Sequence, residues 1–198
     1  MHNTTIEAYR RGLYPDHEVC QTVVRKKVVA EWLEKEHRMD GELRRYFSDG
    51  TVRQSSFYHL GVLHGPSVSY FQNTTTASEC HFIQGALEGR ALYYYKSGAL
   101  HHECMYKNGR LHGQQRYFYE SGVPRSEMSY VAGVLDGRAV LYFPNGAVRR
   151  EIMLCQGKRD GVDYMYDADG LMQFALEYAQ GRFVKAQIED TIAKTYGL

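Results

Sequence analysis

The sequence predicts an all-β protein, an elongated antiparallel meander of six 24-residue β-hairpin repeats with one degenerate unit before them and short helical caps at the ends. Three observations carry this reading. Glycine recurs in phase at Gly41, Gly65, Gly89, Gly113, Gly137 and Gly161, with no insertion or deletion between copies. The chain holds 17 tyrosines and 19 glycines against 4 prolines, and Tyr suits pleated surfaces while Gly suits tight turns. Between the glycines lie paired short runs rich in aromatic and β-branched residues, such as "RALYYY" and "ALHHECMYK", each of which reads as a strand.

Residues 1–16 form an N-terminal cap, in which "TTIEAYRRG" offers a capping box from Thr4 to Glu7 and a stop at Gly12, so a short helix is expected. Residues 17–184 form the array. Its first unit, 17–40, fits the frame without the glycines, since Val28 falls where Val52 does and Met39 where Leu63 does. The regular units begin at residue 41. With each in-phase glycine as position 0, a second glycine falls at position 9 (Gly50, Gly98, Gly122, Gly146, Gly170), where only Thr74 breaks the series. A third falls at position 20 (Gly61, Gly85, Gly109, Gly133, Gly157, Gly181). Three in-phase glycines per unit are turn markers. Residues 185–198, "KAQIEDTIAKTYGL", place Ile188 and Ile192 four apart with Tyr196 following, which predicts an amphipathic capping helix.

The first turn of each unit can be typed. "FPNG" fixes φ at Pro144, and "KSG" and "ESG" set Ser before Gly, so a three-residue loop, a type I turn closed by a Gly bulge, fits better than a type I′ turn. That loop pairs position 6 with 10, 4 with 12 and 2 with 14. Thr74 sits where the loop needs φ > 0, and a β-branched residue resists that, so an altered turn is expected there. Alternation then assigns the faces. Positions 3, 5, 11, 15 and 17 become the packing face, as in Leu92, Tyr94, Leu100, Cys104 and Tyr106, or Val140, Tyr142, Val148, Ile152 and Leu154. Positions 4, 6, 12 and 14 become the opposite face. That face holds Tyr93, Tyr95, Tyr117 and Tyr119 with Arg125 and Arg149 and a ladder that includes Glu103 and Glu127. Aromatics beside Arg are the residue types enriched at energetically dominant contacts, so these eight are the candidate partner-binding residues. The competing reading is a solvated sheet face on which Arg and Glu pair across strands.

The pattern G-x-L-x-G-x-x-x-x-Y-[YF]-x-x-G, seen in "NGRLHGQQRYFYESG" and "AGVLDGRAVLYFPNG", resembles the MORN (membrane occupation and recognition nexus) repeat. The resemblance is closest to the bacterial variant grouped with toxin-antitoxin-associated antitoxins, and covers residues 41–184 well and 17–40 poorly. It implies a scaffold or binding module, and lipid binding is proposed for some family members.

Composition and motifs narrow the function further. A net charge of +1 in 198 residues gives no general attraction to nucleic acid. The N-terminal stretch has no apolar run of signal-peptide length, which points to the cytoplasm. Cys80 and Cys104 share position 15 and are expected to be free thiols, because equivalent positions in successive two-strand units lie about 9.6 Å apart, and the four cysteines together, at 20, 80, 104 and 155, read as small apolar residues that fit a reducing compartment. The glycine hexamers contain no G-x-x-x-x-G-K-[ST] or G-x-G-x-x-G loop, so they are punctuation rather than phosphate cradles. In "HHEC" a regular strand would send His101 and Glu103 one way and His102 and Cys104 the other, which argues against a metal site. No nucleophile elbow or Cys-His signature occurs. The expectation is a non-catalytic scaffold without cofactor or metal that binds a protein partner. The alternative is peripheral lipid binding through Arg44, Arg45, Arg149, Arg150 and "RKK" at 25–27, which should be weak with so few dispersed charges.

Overall fold

The structure, a computed structural model, describes residues 16–188. These form seventeen antiparallel strands and no helix, divided between two compact bodies. The N-terminal body, through Gly89 together with 96–98, contains β1 (Glu18–Val24), β2 (Lys27–Lys35), β3 (Arg38–Tyr46), β4 (Val52–His59), β5 (Val62–Tyr70), β6 (Thr76–Ile83) and the two-residue β7 (Ala86–Leu87). Each pairs with the next. The C-terminal body, 90–95 and 99 onward, contains β8 (Gly89–Tyr94), which starts at the boundary, then β9 (Leu100–Lys107), β10 (Arg110–Phe118), β11 (Pro124–Val131), β12 (Val134–Tyr142), β13 (Val148–Cys155), β14 (Lys158–Arg159), β15 (Gly161–Tyr166), β16 (Met172–Ala179) and β17 (Arg182–Ile188). From β9 on each strand pairs with the next, save that β13 pairs with both β14 and β15, which are one strand interrupted at Asp160.

Two kinds of turn alternate. The first is the expected three-residue loop: the Phe47 N–H donates to Thr51 O at 2.8 Å and the Gly50 N–H to Phe47 O at 3.0 Å, so position 6 pairs with 10. The same bonds recur at Tyr119, Val123 and Gly122. The second is a two-residue turn with both residues at positive φ, as at Asn108 (50°) and Gly109 (74°) or Ala132 (51°) and Gly133 (89°), which is the type I′ geometry that matches strand twist. The degenerate first unit differs in its hairpin loop, where Arg25 and Lys26, at φ 50° and 65°, make a two-residue turn between Val24 and Lys27.

The expectation of an altered turn at Thr74 is overturned. Phe71 N–H bonds Thr75 O at 2.8 Å and Thr74 N–H bonds Phe71 O at 2.9 Å, the pattern of the glycine-bearing loops, with Thr74 held at φ 68°. Asn73 explains how the loop keeps this shape: its side chain accepts from the Thr75 hydroxyl at 2.7 Å and donates to Lys96 O at 3.1 Å. The C-terminal helix expected over 185–198 is corrected as well, because residues up to Ile188 continue β17 and pair with β16. The rest of that segment, and the N-terminal helix expected near residues 4–12, lie outside the described residues.

The face assignment needs the largest correction. Beyond the loop, Phe118 (position 5) pairs with Pro124 (position 11), but Tyr117 (position 4) pairs with Ser126 (position 13), leaving Arg125 as an extra residue. The same step falls between Arg45 and Tyr46, Ser69 and Tyr70, Leu141 and Tyr142, and Met165 and Tyr166. It is a β-bulge at position 12. One extra residue exchanges the faces of everything after it, so position 2 pairs with 15 (Gln115 with Met128) and position 3 with 14 (Arg116 with Glu127). Cys104 and Tyr106, assigned to the packing face, therefore share the face of Tyr93, while Glu103 and Glu127 leave it.

Position 2 becomes the best-covered site, because it lies midway along a strand with neighbours on both sides. Leu43 and Ser67 in the N-terminal body, and Ala91, Gln115, Ala139 and Asp163 in the C-terminal body, are all buried. Small or hydrogen-bonded side chains fit here: Ser67 bonds Ser56 at 2.7 Å, and Asp163 receives both Arg150 Nε at 2.7 Å and Arg159 at 3.4 Å. Among the described residues no disulfide joins the cysteines.

Relieving left-handed strain should stabilise the fold. Thr74→Gly is expected to raise stability by about 1 kcal/mol, the left-handed penalty less the greater freedom of unfolded Gly, as measured by urea denaturation. Ala132→Asn, which creates the Asn-Gly pair favoured in a type I′ turn, should add about 0.5 kcal/mol in the same assay.

Candidate functional site

The candidate site lies on the C-terminal body and follows from the bulge. In a regular strand His101 and His102 would point apart; the bulge at position 12 turns both to one face, correcting the expectation drawn for "HHEC". The His102 ring stacks on Tyr93 with centroids 4.1 Å apart and on Tyr117 at 4.8 Å. The His101 ring meets Tyr95 edge-on at 4.6 Å and Tyr117 at 5.8 Å. Tyr93, Tyr95 and Tyr117 thus form one half-buried aromatic cluster with two imidazoles between them, whose Nδ1 atoms lie 3.0 Å apart.

Tyr119 continues the row. The hydroxyl of Tyr95 donates to Phe118 O at 2.8 Å and that of Tyr119 to Tyr142 O at 3.0 Å. Each position-6 tyrosine is therefore tied to the backbone one unit on, and its ring is set against the sheet with one side open. Next to this row is a hollow of about 430 Å³ lined by Tyr117, Tyr119, Ser126, Met128 and Leu141, bordered by His101, Arg125 and Arg149, and touched by Tyr142, whose hydroxyl reaches Glu127 on the opposite face. Arg125 and Arg149 are exposed bulge residues at position 12.

The eight sequence-selected residues therefore separate into two groups. Tyr93, Tyr95, Tyr117, Tyr119, Arg125 and Arg149 share one face, and four of them line one hollow. Glu103 and Glu127 stand on the opposite face, where Glu103 accepts from Arg116 at 2.7 Å and from Arg90 Nε at 3.0 Å, and Glu127 accepts from the Tyr142 hydroxyl at 3.2 Å. They are parts of a cross-strand ion-pair ladder, which Arg138 and Glu151 continue at 2.6 Å. His101 was missed although it occupies the same position 12 as Arg125 and Arg149; that shared position was the available signal. Met128 gave no signal, since its orientation depends on the bulge, whereas Leu141, at position 4 before the bulge, falls on the tyrosine face by alternation alone. Among the described residues no group of three His, Cys, Asp or Glu side chains is arranged to hold a metal ion.

Two hollows of the N-terminal body have a different character. One is lined by Glu31, Lys27 and Tyr46, the other by Glu42, Arg44 and Tyr70. Their cations are engaged, Lys27 with Ser48 O at 2.6 Å and Arg44 with Glu42 at 2.7 Å.

Fold and face together define a β-hairpin repeat protein with one aromatic, cation-bearing sheet surface. The MORN repeat variant family model matches residues 87–108 and 111–132, so the units that carry Tyr93, Tyr95, Tyr117, Tyr119 and Arg125 are similar to MORN-type repeats. Repeats of this kind serve generally as scaffolds or binding modules, often for proteins or membranes. No curated protein matches the chain.

Burial, with a smaller contribution from His101, pushes the His102 imidazole down from 6.5 to about 4. An unfolded chain takes up this proton as pH falls through 6.5, whereas the folded chain resists until about 4, so the contribution of His102 to stability is complete above 6.5 and is lost on acidification toward 4. Denaturation midpoints should fall between pH 7 and pH 5 in the native protein, and His102→Gln should flatten that fall.

Proposed function

We propose that this protein is a non-catalytic repeat scaffold that binds a protein partner through the Tyr93–Tyr95–Tyr117–Tyr119 face, with Arg125 and Arg149 at its border. The supporting observation is the gathering of Tyr117, Tyr119, Arg125 and Arg149 around one open hollow, since large aromatics beside Arg give contact area at low entropic cost. In its specific form, which the sequence resemblance suggests, the protein is a cytoplasmic bacterial antitoxin or immunity-type factor whose partner is a toxin. Peripheral lipid binding is less favoured. Of the arginines it would use, Arg44 bonds Glu42 at 2.7 Å and Arg150 is committed to buried Asp163 at 2.6 Å, which leaves less charge for an anionic surface.

The test separates ring from hydroxyl. Tyr95→Ala with Tyr119→Ala should weaken binding of the partner captured from native cell extract by at least about 2 kcal/mol. Tyr95→Phe with Tyr119→Phe should keep that affinity while lowering stability by about 1 kcal/mol per lost hydroxyl bond. Unchanged affinity in the alanine pair would remove this face from the interaction. Flotation of the protein with anionic liposomes would favour the lipid reading.

A further inference from the structure

We infer that the hollow beside Tyr119 receives an acidic protein segment, one that places two carboxylates on Arg125 and Arg149 and an aromatic side chain between them. This deepens the partner-binding reading above and rests on it. The first observation is a contrast among cations of the C-terminal body. Arg90 and Arg116 are bound by Glu103, Arg138 by Glu151, and Arg150 and Arg159 by Asp163. Arg125 and Arg149 have no carboxylate partner among the described residues, and no acidic side chain lines the hollow that they border. Two exposed guanidinium groups over aromatic rings leave a local positive field that no carboxylate among the described residues neutralises, and guanidinium pairs carboxylate through two parallel hydrogen bonds.

Geometry specifies the ligand further. Arg125 and Arg149 occupy the same position in consecutive hairpins, each following its own bulge, so their backbones are separated by two inter-strand spacings, about 9.6 Å. A polyproline-II chain has three residues per turn and rises about 3.1 Å per residue, so residues three apart lie on one side of it about 9.3 Å from each other. Carboxylates at i and i+3 of such a segment therefore match the two cations. An intervening residue, rotated by a third of a turn about the chain, turns toward Tyr117, Tyr119, Met128 and Leu141. A hollow of about 430 Å³ has room for an aromatic side chain. Met128 suits such a contact, because a thioether packs adaptably on rings.

Fluorescence polarisation of labelled decapeptides tests this in the full chain. The probe carries two Glu three residues apart with Phe between them, in a Gly/Ser background; a second peptide replaces both Glu by Gln. The acidic peptide should bind at least tenfold tighter than its Gln counterpart, and Arg125→Gln with Arg149→Gln should abolish the difference. Arg110→Gln, an exposed change outside the hollow, should preserve it. Equal binding of the two peptides, no binding of the acidic one, or equal loss in the Arg110 variant would overturn the proposal. So would phosphatidylserine vesicles that bind with the same arginine dependence while the peptide does not. Capture of the native partner keeps the two readings apart: capture lost with the Tyr95/Tyr119 alanine pair but intact with the Arg125/Arg149 glutamine pair would sink the acidic segment and leave the aromatic face standing, whereas capture intact in both would sink both.

Discussion

The surface of this protein depends on one extra residue per hairpin. At position 12 the returning strand carries a residue with no counterpart across the ladder, so Tyr117 faces Ser126 rather than Arg125. The ladder closes normally around the loop and again beyond the bulge, but side chains after it are exchanged between faces. Two features follow directly. Positions 12 and 13 both project to the tyrosine face, which brings His102 between the rings of Tyr93 and Tyr117 and His101 between those of Tyr95 and Tyr117. The glutamates of position 14 are carried to the other side, where arginines of positions 1 and 3 meet them.

This separation gives the two faces of the C-terminal body different chemistry. One is electrostatically closed: Glu103 is shared by two arginines and Glu151 is held by Arg138. Such half-exposed pairs add little to stability individually. The other face has aromatic rings and two open cations. A sheet across which the described residues lay no helix must cover its own side chains, and the buried row at position 2 shows how. Residues as different as Ala91, Gln115 and Asp163 are accepted there, because coverage comes from neighbours in the same layer and the polar ones are hydrogen-bonded. Hydroxyl bonds from Tyr95 and Tyr119 to the following unit do related work at the strand ends.

The turns were legible in the sequence because they require glycine. Gly50 and Gly122 sit at φ 91° and 86°, where most side chains are strained, so spacing alone located them and typed the loop. The bulge left no such mark. Its residue needs no positive φ, and Arg53, His101, Arg125 and Arg149 are ordinary strand-edge residues; alternation carried through it unbroken therefore put Glu103 and Glu127 on the wrong face. Tyr93, Tyr95, Tyr117 and Tyr119 were placed correctly together because they precede the bulge. Thr74 illustrates the converse. Local preference argued against the loop, yet the Asn73 bonds to Thr75 and Lys96 hold it in place, at a cost of the order of 1–2 kcal/mol that a single residue can impose without changing its surroundings.

The cross-unit ties also limit how far information travels along the chain. Tyr95 to Phe118, Tyr119 to Tyr142 and Asn145 to Ala168 each span 23 residues, so in each body a unit senses its immediate neighbours and little else. Polymers with only nearest-neighbour coupling behave as one-dimensional chains: order can begin in any adjacent pair and spread outward, with little loop entropy to overcome because every contact is short in sequence. The same locality shapes inheritance. A duplication or deletion of 24 residues preserves every turn, bulge and face, whereas one of any other length shifts them all, so lineages carrying such arrays can vary in length only in whole hairpins.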